Sequence, residues 1–406
     1  MENAIQKKRN RSEFINVTSF TRQSILAYLL LWYIYEPFVW NILQNTFHIH
    51  SVIEYIFNTI IICCSIIIAR KINKKIFYFL ILFLITLLAN YLVVDYKYYV
   101  MIEGIQALFG IFIPCFCIAN KFFDLEIFLD KWYKFSLQNL ILVAISVVLL
   151  KSNLVHYSIF TSICVPNVFI ISYKVLQSEN KSKLRMPIAM INILITGLLG
   201  GRMAAIVSVF MLLLAYVLSR KTKLWKKVLL IIAIIFISFM IINYFQLIIL
   251  WLNNCMKIFG IRSRSIELLI TQLSSNEIYL TNRDSIYTLC IEYIKNRVGL
   301  PGGFGVPLYL TSGEYYYTHN IILQMFIIFG VPGTILLGMI MIIRAIKLKR
   351  KYSDKANKLL GFMFVSYLFI GMTGSSIWIH YLSTIFIALF FFSNNSLLIK
   401  RSKNVK

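Results

Sequence analysis

The chain has 406 residues, of which 59% are hydrophobic and only 14% charged, with a mean hydropathy of +0.76. A water-soluble chain of this length needs about a quarter of its residues charged to coat two or three domains, so a soluble globular fold is excluded. The net charge of +25, from 41 Lys and Arg against 16 Asp and Glu, does not indicate nucleic acid, because a basic groove needs a polar scaffold to display it.

What satisfies both numbers is a polytopic membrane protein with its basic residues in the loops. Apolar stretches near the ~20 residues that a span requires occur at 23–40, 51–69, 76–94, 99–119, 135–150, 154–173, 187–200, 203–219, 228–252, 320–343, 359–373 and 381–397. Cytoplasmic loops collect Lys and Arg, so the connecting segments test the orientation independently. With the N-terminus inside, 32 of the 41 basic residues fall on the cytoplasmic side and 9 outside. The expected fold is an all-α polytopic bundle of about twelve transmembrane helices with both termini cytoplasmic. It comprises a tail over 1–22, nine helices over 23–252, a large extracytoplasmic loop over 253–318, three helices over 319–397 and a tail over 398–406.

The first apolar run contains Glu36 and Pro37 and has no small-x-small cleavage site, so it reads as a span and not a signal peptide. Cys63, Cys64, Cys115, Cys117 and Cys164 fall in spans, where a thiol behaves as a small apolar residue, and Cys255 and Cys290 read as free thiols. There is no Walker A loop, Rossmann fingerprint or Cys/His cluster, and His48-Ile-His50 reads as interfacial.

Arg202 stands in Gly200-Gly201-Arg202-Met203, between two apolar segments with almost no loop. An arginine there opposes the positive-inside trend. It is either functional, a snorkelling residue at a helix end, or a partner for one of the membrane acids Glu36, Glu54 and Glu103. Those acids read as a proton relay or as helix-to-helix hydrogen bonds.

Outer loops are short except the one from Asn253 to Thr318, whose length of about 65 residues marks it as functional or disordered. Disorder is disfavoured by two amphipathic stretches, Ile261 to Leu273 and Arg283 to Arg297, with apolar residues at helical spacing. A turn-rich run follows, Gly299-Leu300-Pro301-Gly302-Gly303-Phe304-Gly305, and then Tyr315-Tyr316-Tyr317-Thr318-His319-Asn320. The glycines allow close backbone approach to a ligand, although a simple connector explains them more readily. The tyrosines suit sugar faces or an interfacial belt equally.

His319 opens the tenth span, with Thr318 or Asn320 available as helix cap. A helix N-terminus favours a neutral imidazole and a bound anion. Further along, Gly330-Val331-Pro332-Gly333 interrupts the span, Pro332 removing the hydrogen bond to the Ile328 carbonyl.

His319-Asn320, nine residues and then Gly330-x-x-Gly333 resembles the signature of the O-antigen ligase and Wzy-type polysaccharide polymerase superfamily. Arg202 resembles that family's arginine at the outer end of a span, usually written Ser-Arg, with Gly201 here in the serine's place. Arg283, with fifteen residues between it and Gly299, is similar to the family's loop arginine. The match covers about 197 to 343, and residues 1 to 180 carry no matching motif.

The resemblance implies a GT-C-like fold and an enzyme at the extracytoplasmic face of a bacterial plasma (inner) membrane. Such an enzyme moves a glycan from a polyprenyl diphosphate carrier to an acceptor hydroxyl. Arg202 and Arg283 would bind the diphosphate and stabilise its departure, since a guanidinium supplies permanent charge in a fork. His319 would act as general base or orient the acceptor hydroxyl. Asn320, Gly303, Gly305 and Tyr317 would contact substrate, while Gly330, Pro332 and Gly333 would shape the helix. No cofactor and no metal are implied. The partners are a polyprenyl-diphosphate-linked oligosaccharide as donor and as acceptor, membrane lipids, and flippase and chain-length regulator proteins, with no nucleic acid. A polymerase is preferred to a ligase acting on a lipid A core, because nothing in the chain indicates lipopolysaccharide. A multi-span transporter or lipid flippase is the rival from another class, against which stands the lack of a visible repeat between the halves.

Overall fold

The computed structural model describes residues 2–50, 52–69, 73–152, 154–177, 184–219, 223–225, 227–229, 232, 243–258, 260–261, 263–275, 283–374 and 376–393, with side chains of the first helix from Phe20 onward. Among the described residues the chain is helical throughout and forms no strand. The helices are α1 (Glu2–Phe47), α2 (Val52–Ala69), α3 (Lys74–Val93), α4 (Lys97–Ile118), α5 (Leu125–Gln138), α6 (Leu140–Lys151), α7 (Ser158–Leu176), α8 (Arg185–Leu199), α9 (Arg202–Leu218), α10 (Phe245–Ile258), α11 (Arg264–Ser275), α12 (Arg283–Asn296), α13 (Val306–Leu310), α14 (Ile321–Lys351), α15 (Asp354–Gly374) and α16 (Tyr381–Phe392).

Six of these contain a segment long and apolar enough to cross a membrane: Phe20–Phe47, Val52–Ala69, Lys74–Val93, Lys97–Ile118, Ser158–Leu176 and Ile321–Lys351. The other expected spans differ in instructive ways. The span at 135–150 is two helices, α5 and α6, bent by 46°. The bend falls at Asn139, whose side chain turns to a buried partner, Asn167. The spans at 187–200 and 203–219 are helices of 15 and 17 residues, roughly 22 and 26 Å long at 1.5 Å per residue. The last, at 381–397, has a helix of 12 residues. Much of the expected ninth span, 228–252, lies outside the described residues, as does the C-terminal tail 398–406. Helix α1 runs unbroken through 46 residues, and its apolar span begins at Phe20, near the expected start at 23. Both amphipathic stretches of the long loop are helices, α11 and α12, within three residues of their expected bounds.

The chain divides into two compact units, one from the described parts of Met1–Ile34, Val52–Lys131 and Ser285–Lys406, the other from those of Tyr35–Ser51 and Trp132–Asp284. In the second unit α7 is the centre, buried from Ile163 to Lys174 and packed by α6, α8 and α9. Its Asn167 is the hub of a polar network. The Oδ1 atom accepts from the Tyr35 hydroxyl at 2.6 Å and from Asn139 at 3.1 Å, and Nδ2 donates to Asn192 at 3.0 Å. Because each of these contacts satisfies a buried polar group, the network fixes how the helices pair.

In the first unit α4 is the centre, buried from Gly110 to Ile118 and packed by α2, α3 and α16. At Gly110 the packing is backbone against backbone: an added Cβ would lie 1.9 Å from the Trp378 carbonyl oxygen. Helix α14 is broken as its sequence predicts, but the residue that leaves helical geometry is Gly330 (φ 69°, ψ 170°). The break strands two carbonyls, and the glycine run fills both places. Gly302 N–H donates to the Ile327 carbonyl at 2.8 Å and Gly303 N–H to the Ile328 carbonyl at 3.0 Å, while Val331 N–H returns a bond to the Gly299 carbonyl at 2.9 Å. The glycines are therefore no simple connector.

A Cβ at Gly330 would lie 2.7 Å from both the Gly299 carbonyl oxygen and the Pro301 nitrogen, at a positive φ. Gly330→Ala should accordingly cost about 1–3 kcal/mol or more. Gly338→Ala on the same helix meets nothing within 4 Å and should be neutral or stabilise by up to ~1 kcal/mol. Thermal unfolding of the two purified variants beside the parent protein measures the contrast.

Candidate functional site

The arginine site belongs to the second unit and is built on the tight turn between α8 and α9. A Cβ on Gly200 would lie 2.9 Å from the Thr196 carbonyl oxygen and 3.3 Å from Phe160, so glycine is required there. Helix α11 is stitched to this turn by hydroxyls: Ser263 donates to the Leu198 carbonyl, and Ser265 to the Gly200 carbonyl at 2.6 Å. Gly201 N–H donates to Thr161 Oγ1 at 3.3 Å. The nearest neighbour of a Cβ on Gly201 would be that same oxygen at 3.5 Å, an ordinary contact. A serine, the residue usual at this position in the family the motif resembles, would fit.

Stitching α11 down fixes Gln272, seven residues beyond Ser265 on the same face of the helix. Gln272 Oε1 accepts from Arg202 Nη1 at 3.1 Å. Partial burial, and after it the positive charge of Arg283, lower the pKa of Arg202 from the usual arginine value. The two guanidinium groups are thus close enough to repel. Arg202 stands at the first residue of α9, after its N-cap Gly201, where the peptide dipoles add further positive potential. Among the described residues Arg202 has no carboxylate partner, its polar contact being the neutral Gln272. Glu103, one of the three acids considered for it, is engaged elsewhere. The turn between α8 and α9 thus brings a guanidinium, a neutral amide and the positive charge of Arg283 into one neighbourhood.

His319 belongs to the first unit and is held from four sides. Thr318 is fully buried and its hydroxyl donates to the Asn320 carbonyl at 2.6 Å. Asn320 caps α14, its Oδ1 accepting from the amides of Ile322 at 2.9 Å and Leu323 at 3.2 Å. Of the two expected caps, then, the asparagine serves. Between them His319 adopts φ 56°, a left-handed conformation uncommon for a side-chain-bearing residue and concentrated at functional sites. Its carbonyl accepts from the Tyr287 hydroxyl at 3.3 Å. The ring meets Tyr317 and Tyr315 edge-on, with centroids at 4.7 and 5.8 Å. A Cβ on Gly374 would lie 2.7 Å from His319 Nδ1, so that glycine makes room for the imidazole. Tyr287 and Gly374 carry no motif by which the sequence could have flagged them.

The glycine loop, also in the first unit, corrects one expectation. Gly303 and Gly305 were expected to approach a ligand, but their amides are bonded within the protein, to the Ile328 carbonyl and to the Glu103 carboxylate. The space beside each is filled, by Asn90 at Gly303 and by the backbone of Tyr99 and Val100 at Gly305. The loop is further fastened by the Tyr96 hydroxyl, which donates to the Gly302 carbonyl at 2.7 Å, and by Asn90 Oδ1, which accepts from Phe304 N–H at 2.8 Å. Glu103 also accepts from Trp378 Nε1 at 3.0 Å. Its role is a buckle between the loop, α4 and the segment after α15. The signal for Asn90 and Glu103 was legible as lone polar residues in apolar runs. Gly333, by contrast, meets only Phe329 of its own helix, where a Cβ would lie at 3.2 Å.

The sequence matches no known family model and no curated protein.

Glu103→Ala leaves the Gly305 amide and the Trp378 indole without their acceptor and should destabilise the protein by about 2–4 kcal/mol. The same change should open the loop to trypsin at Arg297, whose guanidinium donates to the Pro301 carbonyl at 3.2 Å. Glu103→Gln retains an acceptor and should stay resistant. Limited proteolysis of the purified variants measures this.

Proposed function

We propose that the protein is a glycosyltransferase of the bacterial plasma membrane that polymerises polyprenyl-diphosphate-linked oligosaccharide repeat units into a surface polysaccharide, as Wzy-type polymerases do. The chain crosses the membrane about twelve times with both ends in the cytoplasm, a topology supported by the distribution of 32 basic residues inside and 9 outside. The short helices α8, α9 and α16 count as spans in this arrangement, with local thinning or flanking residues making up their length.

The observation that carries the reading is the arginine pair. The charge of Arg283 is felt at Arg202, and among the described residues the polar contact of Arg202 is a neutral amide. A diphosphate offers oxygens enough for both guanidinium forks. In the reaction, the acceptor hydroxyl attacks the anomeric carbon of the donor sugar while the bond from that carbon to the diphosphate oxygen breaks. In the roles that the family resemblance implies, His319 orients the hydroxyl and receives its proton, and the arginines stabilise the charge left on the diphosphate. The donor is already activated, so the step needs no redox or nucleotide cofactor. Tyr317 and Tyr315 restrict the imidazole to one orientation. A ligase would share this chemistry and differ only in its acceptor.

Purified protein supplied with a polyprenyl diphosphate oligosaccharide should yield a gel ladder growing by whole repeats. Transfer only to an added core lipid would mean a ligase, and neither product would revive the transporter. Arg202→Ala, Arg283→Ala and His319→Ala should each slow extension by roughly 10²–10³-fold or more, and Arg202→Lys should also be poor because an ammonium lacks the fork. Long-chain polymer retained in all three alanine variants would overturn the assignment.

A further inference from the structure

We propose that Gln324, Tyr367 and His380 form a subsite for the hydroxyl groups of a neutral sugar, placed along α14 and α15 from His319. That this sugar belongs to the acceptor rests on the polymerase reading; the subsite itself does not.

The argument begins at Gln324, which is 1% exposed although neither its amide oxygen nor its amide nitrogen has a hydrogen-bond partner among the described residues. A buried primary amide left unsatisfied at both ends is costly and calls for a ligand or solvent group. Its surroundings follow from the packing of α14 on α15. The two helices are joined by only Tyr352 and Ser353, so they run antiparallel. Ile321 packs on Gly371, where an added Cβ would lie 3.0 Å from Ile321 Cβ. One turn further along each helix, on the same faces, stand Gln324 and Tyr367.

Tyr367 is buried, and among the described residues its hydroxyl makes no hydrogen bond of normal geometry. Its polar neighbour Ser383 has its own hydroxyl directed to the carbonyls of Ile377 and His380, both at 2.7 Å. The Tyr367 ring lies 6.1 Å from that of His380. His380 caps α16, its Nδ1 accepting from Leu382 N–H at 3.2 Å, so the ring proton resides on Nε2 and that atom is a donor. Burial pushes this imidazole down to about 3, which keeps it neutral at any physiological pH.

The three groups are an amide, a phenol and a neutral imidazole. Together they offer donors and acceptors without charge, which matches hydroxyls that donate and accept in turn and gives no advantage to an anion or a cation. The position matches as well. Tyr367 is seven residues, about 10 Å, from Gly374, the glycine that abuts His319. An oligosaccharide with one hydroxyl at His319 would set a neighbouring residue against Gln324.

The test uses a panel of methyl glycosides as probes and saturation-transfer NMR on the full-length protein in nanodiscs. At least one glycoside should receive saturation from the wild type. Gln324→Leu should weaken that binding about ten-fold, as expected for a ligand hydroxyl that loses its partner. Tyr367→Phe, which removes a single oxygen and leaves packing intact, should weaken it by a smaller factor, and inorganic pyrophosphate should not compete. Wild-type binding that both variants retain in full, or an absence of binding by every glycoside, would overturn the subsite. The ladder assay on the same preparations separates the two ideas. No ladder with glycoside binding intact contradicts the polymerase and leaves the subsite standing, whereas a wild-type ladder unchanged in both variants, with unchanged glycoside affinity, contradicts the subsite alone.

Discussion

The carbonyls that the break in α14 leaves without helical partners are the constraint from which much of the first unit follows. In so apolar a chain, water is not at hand to satisfy a broken helix, and an orphaned carbonyl costs several kcal/mol in hydrocarbon. The amides of Gly302 and Gly303 occupy the Ile327 and Ile328 carbonyls, which draws the whole glycine loop against the kink. Once seated there, the loop needs its own remaining groups satisfied. Asn90, Tyr96 and Glu103 do this from α3, the α3–α4 turn and α4. Glu103 in turn takes the Trp378 indole, and Trp378 lies against the bare backbone of Gly110. A chain of obligatory hydrogen bonds thus runs from a motif glycine to the segment carrying His380.

The second unit solves a similar problem by hydroxyls. Helices α8 and α9 are too close in sequence for a loop, so the turn exposes the carbonyls of Leu198 and Gly200, which Ser263, just before α11, and Ser265, within it, cover. The amphipathic helix is therefore fixed by the same turn that sets the direction of Arg202. Gln272, two turns along, then gives Arg202 a neutral partner and not a carboxylate. A carboxylate there would have neutralised the guanidinium, which the amide does not.

Sequence reading succeeded where the signal was local. The apolar runs, the amphipathic pair and the asparagine cap depend on spacing within one segment, and the helices fall within a few residues of the expected bounds at α2, α3, α4 and α12. It failed where the deciding partner is distant. The bend at Asn139 depends on Asn167, and the seat of Gly303 depends on Asn90, more than two hundred residues away. For the same reason Gly303 and Gly305 were assigned to a ligand although protein groups occupy their amides. His319, Arg202 and Arg283 stand out in the sequence as polar residues beside apolar runs. Gln324, Tyr367 and His380 do not, because a lone glutamine, tyrosine or histidine in a span is ordinary until its neighbours are known.

The central claim is that the paired arginines hold a diphosphate, and equilibrium binding of a polyprenyl diphosphate to the protein in nanodiscs tests it without requiring turnover. The account predicts saturable binding that weakens as salt is raised and falls at least ten-fold in Arg202→Ala, with Arg202→Lys intermediate because charge survives and the fork does not. Affinity that is the same in the parent protein and Arg202→Ala would contradict it.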